Sequence, residues 1–174
     1  MKTITRTAAI AALALAAASA QAQLYGEIGY STMKESADGN DVNLGALSGI
    51  IGYGLHPNVA VEGMLAFGIK DDTVHVGSIP VKTELEHAYG VFVKPRVMLS
   101  PNFELFGRLG YVESKVKASS GGISVSDSDG DWAYGLGGNY YFDKNTYLTV
   151  NYMNYYRKHD SDVDGFTIGV GMKF

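Results

Sequence analysis

The chain has 174 residues, a formal net charge of −4 and no Cys. That length suits one domain, the missing Cys excludes a disulfide scaffold, and the acidic balance argues against a nucleic-acid binder. A composition of 22 Gly and 12 Tyr with only 4 Pro points to strands and tight turns more than to helices.

Residues 1–22 read as an object apart. Lys2 and Arg6 give a basic start, Ala8 to Ala18 is an unbroken run of Ala, Ile and Leu, and Ser19-Ala20-Gln21-Ala22 ends in small residues. This is the pattern of a secretory signal peptide, cleaved after Ala22 or alternatively after Ala20. The apolar run is too short for a membrane-spanning helix, which takes about 20 residues. Loss of residues 1–22 removes two cations and no acid, so the net charge moves from −4 to −6. Residues 23–174 contain no long uncharged apolar segment, which excludes a helical membrane protein and leaves a soluble exported domain or a membrane β-barrel.

From Gln23 onward the hydropathy alternates with period two, the periodicity of strands. The first predicted strand carries Leu24, Ile28 and Tyr30 on one face and Glu27, Gly29 and Ser31 on the other. The next, Leu44 to Leu55, is less regular, with Leu47, Ile51, Tyr53 and Leu55 on the apolar face and Ile50 on the wrong side. Val59 to Phe67, Tyr89 to Val97, Phe103 to Tyr111, Trp132 to Phe142, Leu148 to Tyr152 and Phe166 to Phe174 complete eight strands. Phe92, Phe106 and Tyr141 fall on the polar face. The connections alternate. His56-Pro57-Asn58, Ser100-Pro101-Asn102 and Asp143-Lys144-Asn145 are tight turns. Residues 34–41, 70–86, 114–131 and 157–164 read as long loops, of which 69–86 has the alternation of a hairpin prolonged past the membrane.

The expected fold is all-β, an eight-stranded antiparallel up-and-down transmembrane β-barrel. Eight strands enclose a lumen just wide enough to be filled by side chains. The Tyr, Phe, Trp and Leu face is too bulky for that lumen and is assigned to lipid, whereas the Gly, Ala, Ser and Thr face fits inside. Tyr53, Tyr89, Tyr111, Trp132, Tyr140, Phe142 and Tyr152 stand near strand ends, where aromatic rings form girdles at the membrane–water boundary. The inward face then carries Glu27, Glu62, Lys94, Arg96, Glu104, Arg108 and Lys173, a lumen charge network of three acids and four bases. Charges shut away from water must pair. The expected result is a plug of salt bridges and water without an open pore.

Leu24-Tyr25-Gly26-Glu27-Ile28-Gly29-Tyr30, the hairpin of residues 89–96 and 103–111, Tyr134-Gly135-Leu136-Gly137 and the ending Ile168-Gly169-Val170-Gly171-Met172-Lys173-Phe174 resemble the outer-membrane protein β-barrel domain family, with its small surface barrels of the OmpX, Ail and opacity types. The resemblance covers residues 23–174. It implies extracellular loops, both termini in the periplasm, and an assembly signal in Val170, Met172 and Phe174 read by the outer-membrane assembly machinery. It gives no single activity, since members serve as structural surface proteins, adhesins or resistance factors.

Other motifs weigh less. Asp127-Ser128-Asp129-Gly130-Asp131 suggests a calcium loop, but the sixth position is Trp132 where an EF-hand needs Gly, and the twelfth is Gly138 where it needs Glu. His159-Asp160-Ser161 and His87 beside Glu84 and Glu86 suggest hydrolysis, yet neighbours in an extended segment point apart and do not assemble a triad. No catalytic residue, metal or cofactor is expected. The function expected is a structural outer-membrane surface barrel in contact with outer-membrane lipids. An adhesin acting through loops 70–86 and 114–131 on a surface or host ligand is the alternative, and a lipid-modifying enzyme a third reading.

Overall fold

The computed structural model describes residues 23–37, 40–70, 72–76, 79–120, 123–158 and 161–174. The expected signal peptide and the His159-Asp160 pair lie outside them. The strands are β1 (Leu24–Ala37), β2 (Asn40–His56), β3 (Val59–Lys70), β4 (Asp72–Val76), β5 (Ile79–Ser100), β6 (Phe103–Ser120), β7 (Ile123–Tyr141), β8 (Thr146–Lys158) and β9 (Ser161–Lys173). Each pairs antiparallel with its sequence neighbour, except that β3 and β4 follow one another along the same wall. β1 pairs with β9, and β3 pairs with β5 through Val59↔Pro95 to Phe67↔His87. The sheet therefore closes into a barrel of eight walls, with no helix among the described residues.

Alternation sorts the side chains. In β3, Ala60, Glu62, Met64 and Ala66 are buried, while Leu65, Phe67 and Ile69 are exposed. Leu109, Leu136, Ile168 and Val170 likewise point outward. Such a continuous apolar exterior has no place in water and needs a hydrocarbon solvent.

The inner face differs from expectation in one respect. It holds not only small residues and charges but also Tyr25, Phe92, Phe106, Tyr141 and Tyr147, all buried. Phe92, Phe106 and Tyr141, exceptions in the sequence pattern, are lumen filling. Room for these rings comes from glycines on adjacent walls: a Cβ at Gly52 would overlap the Tyr25 ring, and one at Gly171 the Tyr147 ring.

The long connections also differ from expectation, because most of their length is strand. β1 and β2 pair up to Ala37↔Asn40, β6 and β7 up to Ser120↔Ile123, and β8 and β9 up to Lys158↔Ser161. Residues 72–76 and 79–83 pair as a hairpin. A membrane-crossing strand takes about 9–11 residues, so β5, with 22 residues, stands far beyond the apolar belt. The hairpin within 69–86 is the one its alternation foretells, whereas the β1–β2, β6–β7 and β8–β9 extensions are too rich in Ser, Gly and charged residues for hydropathy alternation to reveal them. The pairing of β7 with β8 stops at Tyr134↔Asn154, and that of β3 with β5 stops at Phe67↔His87. Beyond those levels the described strand pairing runs separately through β8-β9-β1-β2 and β4-β5-β6-β7, with β2 still in contact with β4 and β5.

Overpacking should disturb the lumen more than the exterior. Gly171→Val is expected to cost roughly 1–3 kcal/mol of stability. Gly49→Val, outward and with open space beside it, should cost little. Urea unfolding in lipid vesicles, followed by heat-dependent gel mobility, measures both; equal losses would contradict the inner packing.

Candidate functional site: the lumen and its charge cluster

The centre of the barrel is a cluster of four charges from four walls. Glu27 comes from β1, Glu62 from β3, Lys94 from β5 and Arg108 from β6, and each is at most 4% exposed. Arg108 lies between the carboxylates: its Nη2 donates to Glu27 Oε2 at 2.6 Å, and its Nε to Glu62 Oε2 at 2.6 Å. Lys94 Nζ contacts Glu27 Oε1 at 3.0 Å and Glu62 Oε1 at 3.1 Å. Two carboxylates are thus matched by two cations, and both oxygens of each carboxylate are engaged. The hydroxyls of Tyr25 and Tyr147 add donations to Glu62 Oε1 at 2.7 Å and to Glu27 Oε1 at 3.0 Å. Charge-assisted bonds of this length are the strong class, and in a dry interior they offset part of a desolvation cost of several kcal/mol per ion.

The backbone next to the cluster is unusual. Pro95 has no N–H, and the β5–β6 ladder skips from Val93↔Leu109 to Arg96↔Phe106. Lys94 and Arg108 project inward on either side of this gap, and the Phe106 ring lies below both cations, at 4.2 Å from Lys94 Nζ and 4.8 Å from Arg108 Cζ. Cations over an aromatic face gain a further electrostatic contact.

A second node sits nearer the short turns. Glu104 accepts from Asn139 Nδ2 at 2.8 Å and from the Tyr141 hydroxyl at 3.2 Å, with Arg96 Nη1 3.8 Å away. Arg96 is also tied to the rim, its Nε donating to Pro57 O at 3.1 Å. Lys173 does not join the central cluster; its Nζ rests 4.1 Å above the Tyr141 ring. At this end Asp143 Oδ1 accepts the amides of Asn145 and Thr146 at 2.7 and 2.8 Å, and these bonds hold its carboxyl below the usual carboxylate range.

Above the cluster the lumen is mixed: Ser31, Ser48, Asn151 and Thr167 are buried there, with Ser31 and Thr167 hydrogen-bonded at 2.7 Å, beside an apolar group. Leu44, Ala46, Ile50, Met64, Leu85, Phe92, Val112 and Met153 form one buried group. Sequence reasoning missed Tyr25, Tyr147 and Tyr155 as lumen residues. Tyr25 shares its face with Glu27, so parity alone places it. Tyr147 precedes the predicted start of its strand. Tyr155 lies beyond the predicted end of its strand, on the parity of the buried Asn151 and Met153 and just where the β8–β9 register shifts between Asn154 and Tyr156.

The aromatic residues of the exterior do not converge on a site. Tyr53, Tyr140 and Phe142 lie toward the short turns, with Tyr140 and Phe142 in edge contact at 5.7 Å. Tyr89, Tyr111 and Trp132 lie toward the long hairpins, with Tyr111 and Trp132 in edge contact at 6.3 Å, and Tyr152 is opposite Phe166 on that side. Val170, Met172 and Phe174 are all exposed on the outer face of the last wall, and the Phe174 amide donates to Leu24 O at 2.9 Å.

Comparison with known proteins agrees with this geometry. Residues 6–174 match the family described as the outer membrane protein beta-barrel domain. The chain belongs to that family. Among solved structures, Ail, the attachment invasion locus protein of Yersinia pestis, crystallised in complex with the heparin analogue sucrose octasulfate, is similar in fold at 24% identity. That match has a TM-score of 0.68 and covers 88% of this chain and 99% of Ail. Neisserial surface protein A aligns at 14% identity with a TM-score of 0.66, over 87% of this chain and 97% of its own. OprG of Pseudomonas aeruginosa aligns at 13% identity with a TM-score of 0.58, over 88% and 95%. No curated protein sequence matches. Family membership makes the chain an outer-membrane barrel, and its apolar exterior is the lipid-facing belt.

Two predictions follow from the ion contacts. Arg108→Met leaves Glu27 and Glu62 with a single cation and should cost roughly 3–5 kcal/mol; urea titration in vesicles checks it, and a loss within error would contradict the pairing. Asp143→Ala should lower stability at neutral pH. Because the folded carboxyl is held below its unfolded value, its contribution is present above the ordinary carboxylate range and is lost as pH falls through the folded value. The gap between variant and parent should therefore close on acidification, and a gap that widens would contradict the turn bonds.

Proposed function

We propose that the protein is a non-enzymatic, structural surface barrel of the outer membrane, with a charge-plugged lumen that conducts no ions or solutes. On this reading residues 1–22 form a signal peptide removed after export. Val170, Met172 and Phe174 present the assembly signal, both termini stand in the periplasm, and the long hairpins face outward from the cell. The observation that carries the reading is the filling of the lumen. Between the apolar layer and Arg108 there is a void of only about 10 Å3, at the limit of what one water needs. The four-charge cluster and the rings of Tyr25, Phe106, Tyr141 and Tyr147 fill the levels beneath.

A second reading, adhesion through residues 70–86 and 114–131, is favoured by the height of those hairpins and by the fold shared with an attachment protein. A barrel whose interior is closed has its exposed hairpins left for contact with other surfaces.

Reconstitution into planar bilayers tests the main reading. The protein is expected to co-purify with outer membranes and to give no discrete conductance steps, whereas steady ion passage would contradict it. Shortening the β6–β7 hairpin to Val112–Asp131 should leave heat-dependent gel mobility unchanged and lower attachment of cells to a coated matrix; unchanged attachment would remove the adhesion reading.

A further inference from the structure

Arg108 carries more donors than its carboxylates use. Its described bonds to Glu27 and Glu62 run through Nε and Nη2, and the N–H groups of Nη1 lie outside them. The side chain borders the void of about 10 Å3 in the middle of the lumen. Five polar side chains line that void: Arg108 from β6, Ser48 from β2, Asn151 and Tyr155 from β8, and Thr167 from β9. The rest of the lining is apolar. Arg108, Ser48, Asn151 and Thr167 are each more than nine-tenths buried.

Their hydrogen bonding differs. Ser48 Oγ donates to Gly29 O at 3.3 Å, and Thr167 Oγ1 shares a 2.7 Å bond with Ser31 Oγ. Among the described residues the Asn151 side-chain amide has no partner, although it is only 3% exposed. Its cross-strand neighbours supply none, since Gly137 has no side chain and the Thr167 hydroxyl is committed to Ser31. A buried amide left without a bond is costly, and native interiors seldom contain one that nothing satisfies.

Size and charge select the ligand. A volume of about 10 Å3 is close to that of one water-sized sphere, so the void takes a single water and nothing larger. A bare cation would meet the charge of Arg108. An anion is not called for, because Glu27 and Glu62 already balance Lys94 and Arg108. A buried water needs two to four polar partners. Here it can accept from Arg108 and from the Asn151 amide and donate to Ser48 Oγ.

We propose that this void is a specific site for one long-lived water, held by Arg108, Asn151 and Ser48. The water extends the ion cluster to β2 and β8, walls that give it no charge of their own. The inference rests on the closed-lumen reading and narrows it, because it places the hydration of the plug at one point.

The experiment uses the full barrel in nanodiscs, with Asn amides and the methyl groups of Met and Ala labelled for NMR. Cross-relaxation with water is read at each label. The Asn151 amide should show contact with a water that tumbles with the protein. So should the Met153 methyl, which lines the same void and carries no exchangeable proton. The Ala60 and Ala133 methyls, fully buried at other levels of the lumen, should show none. Asn151→Leu, apolar and of similar size, should abolish the Met153 contact. It should also shift the urea midpoint in vesicles downward, because the water loses a partner and Arg108 loses the water. In a dry void the same substitution would remove an unpaired amide and shift the midpoint upward. Three results would overturn the proposal. Silence at both Asn151 and Met153 in the parent removes the site alone and leaves the closed lumen standing. A raised midpoint for Asn151→Leu does the same. Water contacts at Ala60 and Ala133 as strong as at Met153 remove the site and the closed-lumen reading together.

Discussion

Closing the sheet between β3 and β5 is the constraint on which the other features depend. Closure gives every wall two hydrogen-bonding neighbours in a solvent that offers no hydrogen bonds, with the β5–β6 ladder interrupted only around Pro95 among the described pairings. It also fixes a lumen narrow enough that side chains must fill it. Every inward position is then a packing problem as well as a chemical one. The solution is mutual: Arg108 on β6 and Lys94 on β5 meet Glu62 on the adjoining β3 and Glu27 on β1, and the rings of Tyr25 and Tyr147 cap those carboxylates while lying over Gly52 and Gly171. Removing a charge leaves its partners uncompensated, and adding a methyl group to a glycine displaces a ring. The cluster is therefore not evidence of surplus stability; a well-packed apolar centre could serve as well energetically. Its contacts link four of the eight walls, which ties distant parts of the chain to one arrangement.

Along the axis the lumen is layered. Glu104 and the aromatic residues lie by the short turns, the four charges in the middle and the apolar group above. The layering packs the middle of the lumen with side chains; on the structural reading proposed above, that leaves chemistry to the ends. The long-hairpin end is the more open of the two, because β7 and β8 cease to pair beyond Tyr134↔Asn154.

Much of this was legible in the sequence, and the limits are physical. Alternation in β3 from Ala60 to Phe67 placed Glu62 inside and Leu65 outside, because a period of two leaves a strand only two faces. The same rule made Phe92, Phe106 and Tyr141 look like exceptions, since it scores hydropathy and not the space available beside Gly110 or Gly137. Hydropathy could not see the upper strands, where Ser126 to Asp131 is polar on both faces and only backbone pairing with β6 reveals a strand. Nor did it reach Tyr155, which shares the parity of Asn151 and Met153 but lies past Tyr152, where the apolar alternation of that strand ends. The pairing partners of each charge depend on barrel register, which a single sequence does not specify.

The central claim is that alternate residues of each wall divide between hydrocarbon and a packed interior. The chain has no Cys, so single spin labels can be introduced without background. Labels at Leu109, Val150 and Ile168 should be relaxed strongly by oxygen dissolved in the bilayer and weakly by a water-soluble nickel chelate. Labels at Asn151 and Thr167, one position away, should be immobile and shielded from both. If Leu109, Val150 and Ile168 proved shielded while Asn151 and Thr167 were open to the chelate, the faces would be reversed and the account would fail.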